Sequence, residues 1–178
     1  MLRYVTGNEG KIREATEYLD EVVEPVDYDY LEPQADSLEE IAAYGAETSF
    51  AALEGDEPIM VDDAGLFIAT FDGFPGPYSA YVEPRLGIER VAELTLAEAD
   101  HRAAFHAVVG YADGQTVETF EGKVRGRIVN PRGDGGFGYD PIFEHGERTF
   151  AEMDIAEKNA VSHRGRALEK FAEWYRQR

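Results

Sequence analysis

The chain has 178 residues, no cysteine, and 36 Asp plus Glu against 17 Lys plus Arg, for a formal net charge of −19. With 43% hydrophobic and 12% aromatic residues it can bury a core, in one domain or in two lobes that share it, and wholesale disorder is excluded. The lack of cysteine rules out a disulfide framework, a thiolate zinc site and cysteine nucleophile chemistry. No apolar run approaches the ~18 residues of a membrane span, and a strand starting at Leu2 leaves no room for a secretory leader, so a cytoplasmic protein without membrane contact is expected.

Only four of the basic residues are lysine, Lys11, Lys123, Lys158 and Lys170, and the acids are spread along the whole chain. Such a surface suits concentrated salt, where the Debye length falls to ~3 Å at ~1 M and self-repulsion is screened. Nucleic-acid polymers are disfavoured as partners because they are held by basic phosphate contacts. A small anionic substrate stays compatible if a few cations converge.

In chain order, Leu2 to Val5 reads as a short buried strand leading into Thr6-Gly7-Asn8-Glu9-Gly10-Lys11 and a helix with Ile12, Ala15, Thr16 and Leu19 on one face. Val22 to Tyr30 alternates as a half-exposed strand would. Asp36 or Ser37 caps a helix over Leu38 to Leu53, striped by Leu38, Ile41, Ala42, Gly45 and Ala46. Gly55 to Pro58 breaks it, and Ile59-Met60-Val61 enters a buried strand ending at Asp62-Asp63. A turn-rich loop, Asp72 to Pro77, precedes a helix over Gly87 to Leu96. Phe105 to Tyr111 and Thr116 to Val129 flank the hairpin signal Asp113-Gly114. A C-terminal helix buries Leu168, Phe171, Ala172 and Tyr175. Strands alternating with helices early and a hairpin later predict an α/β fold on a mixed sheet.

Four segments can carry chemistry. Thr6 to Lys11 lies where a strand yields to a helix, and free N–H groups, two glycines and a lysine suit phosphate there, although an ordinary helix start has the same look. Asp62-Asp63 at a strand end suits Mg²⁺, with Glu32 and Glu40 as further ligands; a capped turn in an acid-rich chain is the alternative. Gly133 to Gly138 fits G-x-G-x-x-G but runs into Tyr139-Asp140-Pro141 rather than an apolar helix, which argues against dinucleotide binding. Phe137-Gly138-Tyr139-Asp140 instead offers an aromatic face for a base, or a loop with one buried anchor. Lys158 and Ser162-His163-Arg164 gather donors around a helix start capped by Ser162, for a heterocycle edge or phosphate, or form a basic surface turn. His101, His106 and His145 lack metal-ligand spacing.

Taken in order, T-G-N-x-G-K, D-D-x-G-L, F-P-G-x-Y-S, G-F-G-Y-D-P-I-F and E-K-N-A-x-S-H-R make the chain resemble the inosine triphosphate pyrophosphatase (Ham1-like) family from Thr6 almost to its end. Leu38-Glu39-Glu40-Ile41 and Thr149 to Met153 resemble its archaeal members. The resemblance implies a long mixed sheet flanked by helices, two lobes with a central cleft, and a homodimer. It also implies Mg²⁺-dependent hydrolysis of ITP, dITP and XTP to the monophosphate and pyrophosphate. By motif position Thr6, Gly7, Asn8, Glu9, Gly10 and Lys11 would hold the triphosphate, and Asp63 would bind Mg²⁺ and act as general base, with Glu32 as second metal ligand. Phe137 would stack on the base beside Gly138, Tyr139 and Asp140, and Lys158, His163 and Arg164 would contact base or phosphates. Ala64, next to the aspartates, replaces a serine of many relatives and would meet substrate through its backbone. A Maf-like pyrimidine nucleotide pyrophosphatase and a non-catalytic nucleotide sensor are the alternatives; Ser162-His163-Arg164 speaks against the first and the intact acids against the second.

Overall fold

The computed structural model describes residues 1–20, 22–53 and 55–178. Among these, eight strands form one mixed sheet: β1 (Arg3–Val5), β2 (Glu24–Val26), β3 (Ile59–Ile68), β4 (Pro75–Gly76), β5 (Arg102–Ala112), β6 (Val117–Ile128), β7 (Phe143–His145) and β8 (Arg148–Thr149). Their order is β2-β1-β3-β5-β6-β7-β8, with β4 paired to β3. β1 runs parallel to β2 and β3, whereas β4 on β3, β7 on β6 and β8 on β7 are antiparallel. The helices are α1 (Glu9–Leu19), α2 (Leu38–Ala52), α3 (Ser79–Leu86), α4 (Ile88–Leu96), α5 (Ile155–Val161) and α6 (His163–Tyr175). The expected mixed α/β sheet with flanking helices is what the chain forms.

The chain packs as two units: Met1–Asp63 with Ala107–Gly122 and Arg164–Arg178, and Ala64–His106 with Lys123–His163. In the first, α2 buries Leu38, Ile41, Ala42, Gly45 and Ala46, the stripe expected from 3.6-residue spacing, and Ser37 rather than Asp36 caps it by accepting from the Glu40 N–H. Glycine at position 110 lets α2 sit directly on β5, since a Cβ there would stand 2.4 Å from the Ala42 carbonyl oxygen. α6 docks through Phe171 and Trp174 on Tyr111 and Phe120, while Tyr175 is only half-buried. The second unit has its own core, in which Phe105 packs on Phe143 and Phe150 among Leu66, Ile68, Val124 and Ile142.

Two expectations about elements need correction, and one helix was not expected. Strand β3 does not end at Asp62-Asp63 but continues to Ile68, because Leu66 and Phe67 find ladder partners in Gly76 and Pro75. The aspartates therefore lie mid-strand. The strand expected over Val22 to Tyr30 shrinks to Glu24–Val26, an edge strand carrying Pro25, and Tyr30 instead lays its ring on α2. Helix α3 was unexpected, hidden by the internal Pro84. Ser162 stands immediately before α6, at the helix start expected there, and is also the C-terminal cap residue of α5.

Candidate active site

In the first unit, β1 delivers the chain into the T-G-N-E-G-K turn. Asn8 caps α1, its Oδ1 accepting from the N–H groups of Gly10 (2.9 Å) and Lys11 (3.3 Å), and the Asn8 N–H donates to Thr6 Oγ1. A Cβ on Gly7 would meet nothing within 4 Å, so this turn is open on that side. Glu9 starts the helix, an acid where the positive end of the dipole favours one.

The paired aspartates point to opposite faces of β3, as successive strand residues must. Asp62 is sealed in, with 1% of its side chain exposed. Its Oδ1 accepts from Lys11 Nζ (2.7 Å) and the Tyr4 hydroxyl (2.6 Å), and its Oδ2 from Arg164 Nε (2.9 Å). Arg164 also lies 3.8 Å from Glu14 through α1. Burial alone would raise the Asp62 carboxyl, but Lys11, Arg164 and the donated hydrogen bonds bring it down to about 2. Burial first, and the Asp62 charge second, push Tyr4 well above the ordinary phenol range, so its hydroxyl remains a donor.

Asp63 belongs to a different neighbourhood. Tyr30 sits so close to α2 that a Cβ on Gly45 would approach its ring and hydroxyl to 2.5–2.6 Å. Burial, then the charges of Glu32, Asp63 and Asp62 in that order, push the Tyr30 hydroxyl far above its usual range. The charges of Glu32 and Asp63, distant in sequence, thus both act on one hydroxyl. Among the described residues no group of three or more His, Cys, Asp or Glu is placed to hold a metal ion. Two carboxylates fall below that number, and Mg²⁺ asks for no more than one or two from a protein, completing its shell with phosphate oxygens and water. Glu40 is exposed on α2 and is not among the charges acting on Tyr30.

In the second unit, Phe137 stands 72% exposed. The Asp140 carboxylate fixes its base: Oδ2 accepts the Phe137 N–H (2.8 Å) and also receives Lys158 Nζ. Lys158 Nζ in turn lies 4.4 Å from the Phe137 ring centroid. Gly136 (φ 71°) and Gly138 (φ 58°) hold left-handed conformations that turn the backbone on either side of the ring. Tyr139 is buried, donating to the Ser79 carbonyl (2.9 Å). His163 stacks on Phe105, ring centroids 5.0 Å apart. Ala64 follows Asp63 within β3.

The donors expected to cluster, Lys158, His163 and Arg164, are thus engaged differently: Lys158 with Asp140, His163 on Phe105, and Arg164 with Asp62 and Glu14. His101, His106 and His145 have structural partners: the Glu98 carbonyl, the Phe67 ring and the Arg125 carbonyl. Tyr4, Glu14 and Tyr30 are participants that motif reading missed. Glu14 stands three residues after Lys11 on one helix, a spacing that places both on one face, but nothing in the sequence marks the two tyrosines.

One mixed sheet flanked by helices defines an α/β protein. The family comparison is specific. Residues 2–174 match the Ham1 family, and the chain belongs to it. It is 51% identical to the dITP/XTP pyrophosphatase of Methanopyrus kandleri over 180 residues, covering 97% of this chain and 95% of that one. It is 46% identical to the dITP/XTP pyrophosphatase of Thermococcus kodakarensis, covering 99% and 97%. Among solved structures, the Ham1 protein of Staphylococcus aureus superposes with a TM-score of 0.89 at 28% identity, covering 99% and 98% of the two chains. A HAM1 protein from Coxiella burnetii gives 0.88 at 31%, again covering 99% and 98%. No helix among the described residues is long and apolar enough to cross a membrane.

Proposed function

We propose that this protein is a Mg²⁺-dependent pyrophosphatase of non-standard purine nucleoside triphosphates. It would convert ITP, dITP and XTP to the monophosphate and pyrophosphate and so cleanse the cytoplasmic nucleotide pool. The observation that carries the reading is full-length similarity, 51% over 97% of the chain, to a dITP/XTP pyrophosphatase. An open T-G-N-E-G-K turn in the first unit supports it, and so does a Lys-braced exposed aromatic in the second.

Glu32 and Asp63 would hold the Mg²⁺, which when bound supplies neutralisation of charge on the cleaved phosphoanhydride. Asp63 takes the proton of the attacking water. Thr6 to Lys11 hold the phosphates at the positive end of α1, on the side of the turn left open at Gly7 and through the Lys11 ammonium, and Arg164 adds a second cation. Phe137 stacks the base, steadied by Asp140 between Gly138 and Tyr139, while Lys158 and His163 offer donors to a 6-keto oxygen. Adenine presents an amino donor at that position, so buried donors would face a donor, a mismatch that discriminates strongly. We also assign the acidic surface to life in concentrated salt, and a homodimer as the working assembly.

Pyrophosphate release with Mg²⁺ in molar KCl, comparing ITP and XTP with GTP, ATP, dTTP and UTP, tests the reading. Selectivity for ITP and XTP is expected. Preference for dTTP or UTP, or binding of ITP without turnover, would overturn it. Light scattering at twice the mass of the 19.8 kDa chain is expected for the dimer.

A further inference from the structure

Asp62 has no place in the chemistry above, yet it is a sealed carboxylate held by side chains from three separate elements. Three donors from three elements converge on it: Tyr4 of β1 (2.6 Å), Lys11 of α1 (2.7 Å) and Arg164 of α6 (2.9 Å). Its side chain is 1% exposed, and Lys11 and Arg164 are only 24% and 16% exposed. Two mostly buried cations this close to each other would repel strongly in a poorly hydrated setting. Asp62 lies between them, and Glu14, 16% exposed and 3.8 Å from Arg164, supplies the second negative charge. Two carboxylates therefore balance two cations in the protein alone. Three donors on one carboxylate occupy most of its about four acceptor positions.

We propose that Asp62 is a positioning residue, a built-in stand-in for substrate phosphate that holds Lys11 and Arg164 in place, and that the Tyr4 hydroxyl sets how firmly it grips Lys11. The inference rests on the reading that Lys11 meets substrate phosphate. Its physical content is a competition. Phosphate oxygens must share the Lys11 ammonium with Asp62 Oδ1, the same oxygen that receives the Tyr4 hydroxyl. The phenol withdraws charge from that oxygen, so it loosens the grip on Lys11 and makes the ammonium easier to share. Without the hydroxyl, Oδ1 would turn wholly to Lys11. Without the carboxylate charge, Lys11 and Arg164 would attract phosphate more strongly but would no longer be held in one geometry.

The two variants are therefore predicted to move phosphate affinity in opposite directions. Inorganic tripolyphosphate, titrated calorimetrically into the full-length protein without added metal, should bind Asp62→Asn about tenfold more tightly than the parent, and Tyr4→Phe several-fold more weakly. These sizes follow from one hydrogen bond to a charged group gained or lost. Turnover of ITP with Mg²⁺ should fall in Asp62→Asn by about a hundredfold in kcat despite the tighter phosphate binding, as expected when orientation rather than attraction is lost. A purely structural role would weaken binding in both variants or leave both unchanged, and either result overturns the proposal. Should Asp62→Asn fail to fold, Tyr4→Phe decides together with its melting temperature: weaker tripolyphosphate binding at an unchanged melting temperature supports the proposal, whereas equal or tighter binding, or weaker binding with a lowered melting temperature, overturns it. If the parent protein releases no pyrophosphate from ITP while the tripolyphosphate affinities shift as stated, the proposed function falls and the positioning role of Asp62 stands.

Discussion

Neighbouring aspartates on one strand have opposite fates because their side chains leave the sheet on opposite faces. Asp62 is consumed by Lys11, Arg164 and Tyr4, whereas Asp63 shares its surroundings with Glu32 and Tyr30. For the role proposed for Asp63, substitution by Asn should lower the rate of pyrophosphate release by roughly 10²–10⁴-fold, the range of a lost general base, with a melting temperature close to that of the parent. Retained activity would remove Asp63 from the chemistry. Phe137 offers the complementary case. Being 72% exposed, it contributes little to folding, so Phe137→Ala should change stability by no more than about 0.5 kcal/mol. Its stacking role predicts a rise in KM for ITP corresponding to about 1–3 kcal/mol, with Phe137→Tyr close to the parent. An unchanged KM in the alanine variant would show that the ring does not meet the base.

Elements meet closely here where glycine allows it, and the best-defined case is α2 on β5. Gly110→Ala would drive a methyl into the Ala42 carbonyl, a backbone atom that no rotamer change can move aside. Overpacking of this kind typically costs about 1–3 kcal/mol, so the melting temperature should drop by several degrees. Gly73→Ala is not an equivalent control, because its φ of 92° adds backbone strain of its own. On the other side of the sheet order, β7 is tied to β6 and the following loop through Glu144, whose side chain is 8% exposed and bridges Arg127 and Arg132, both at 2.7 Å. The Arg132 hydrogen bond, opposed by burial and aided by Arg127, lowers the Glu144 carboxyl below its usual range. A carboxyl depressed in the folded state stabilises above its unfolded value and loses that contribution as pH falls through the folded one. Stability should therefore decline below about pH 4.5, and Glu144→Gln, already lacking the charge, should show a flatter decline over the same interval. Identical acid profiles for the two proteins would remove Glu144 from the account.

At the level of the whole molecule, the net charge of −19 opposes compaction in dilute buffer and is screened in salt. The melting temperature should climb by several degrees between about 0.01 M and 1 M KCl, where the Debye length shrinks from ~30 Å to ~3 Å; a flat profile would contradict the salt assignment. The sequence by itself determined the fold class, α2 with its buried stripe, the hairpin at Asp113-Gly114 and the order of the motifs, because periodicity, turn chemistry and spacing act over a few residues. It identified Lys11, Asp63 and Phe137 as residues able to carry chemistry. It did not reveal that β3 runs past its aspartates, that Pro84 sits inside a helix, or that Tyr30 leaves its strand to lie on Gly45. Nor did it reveal what engages Asp62, or show that Tyr4, Lys11 and Arg164, up to 160 residues apart, would meet on one carboxylate. Those outcomes depend on ladder partners, on space beside a glycine and on charges from distant segments, and only the folded chain brings these together.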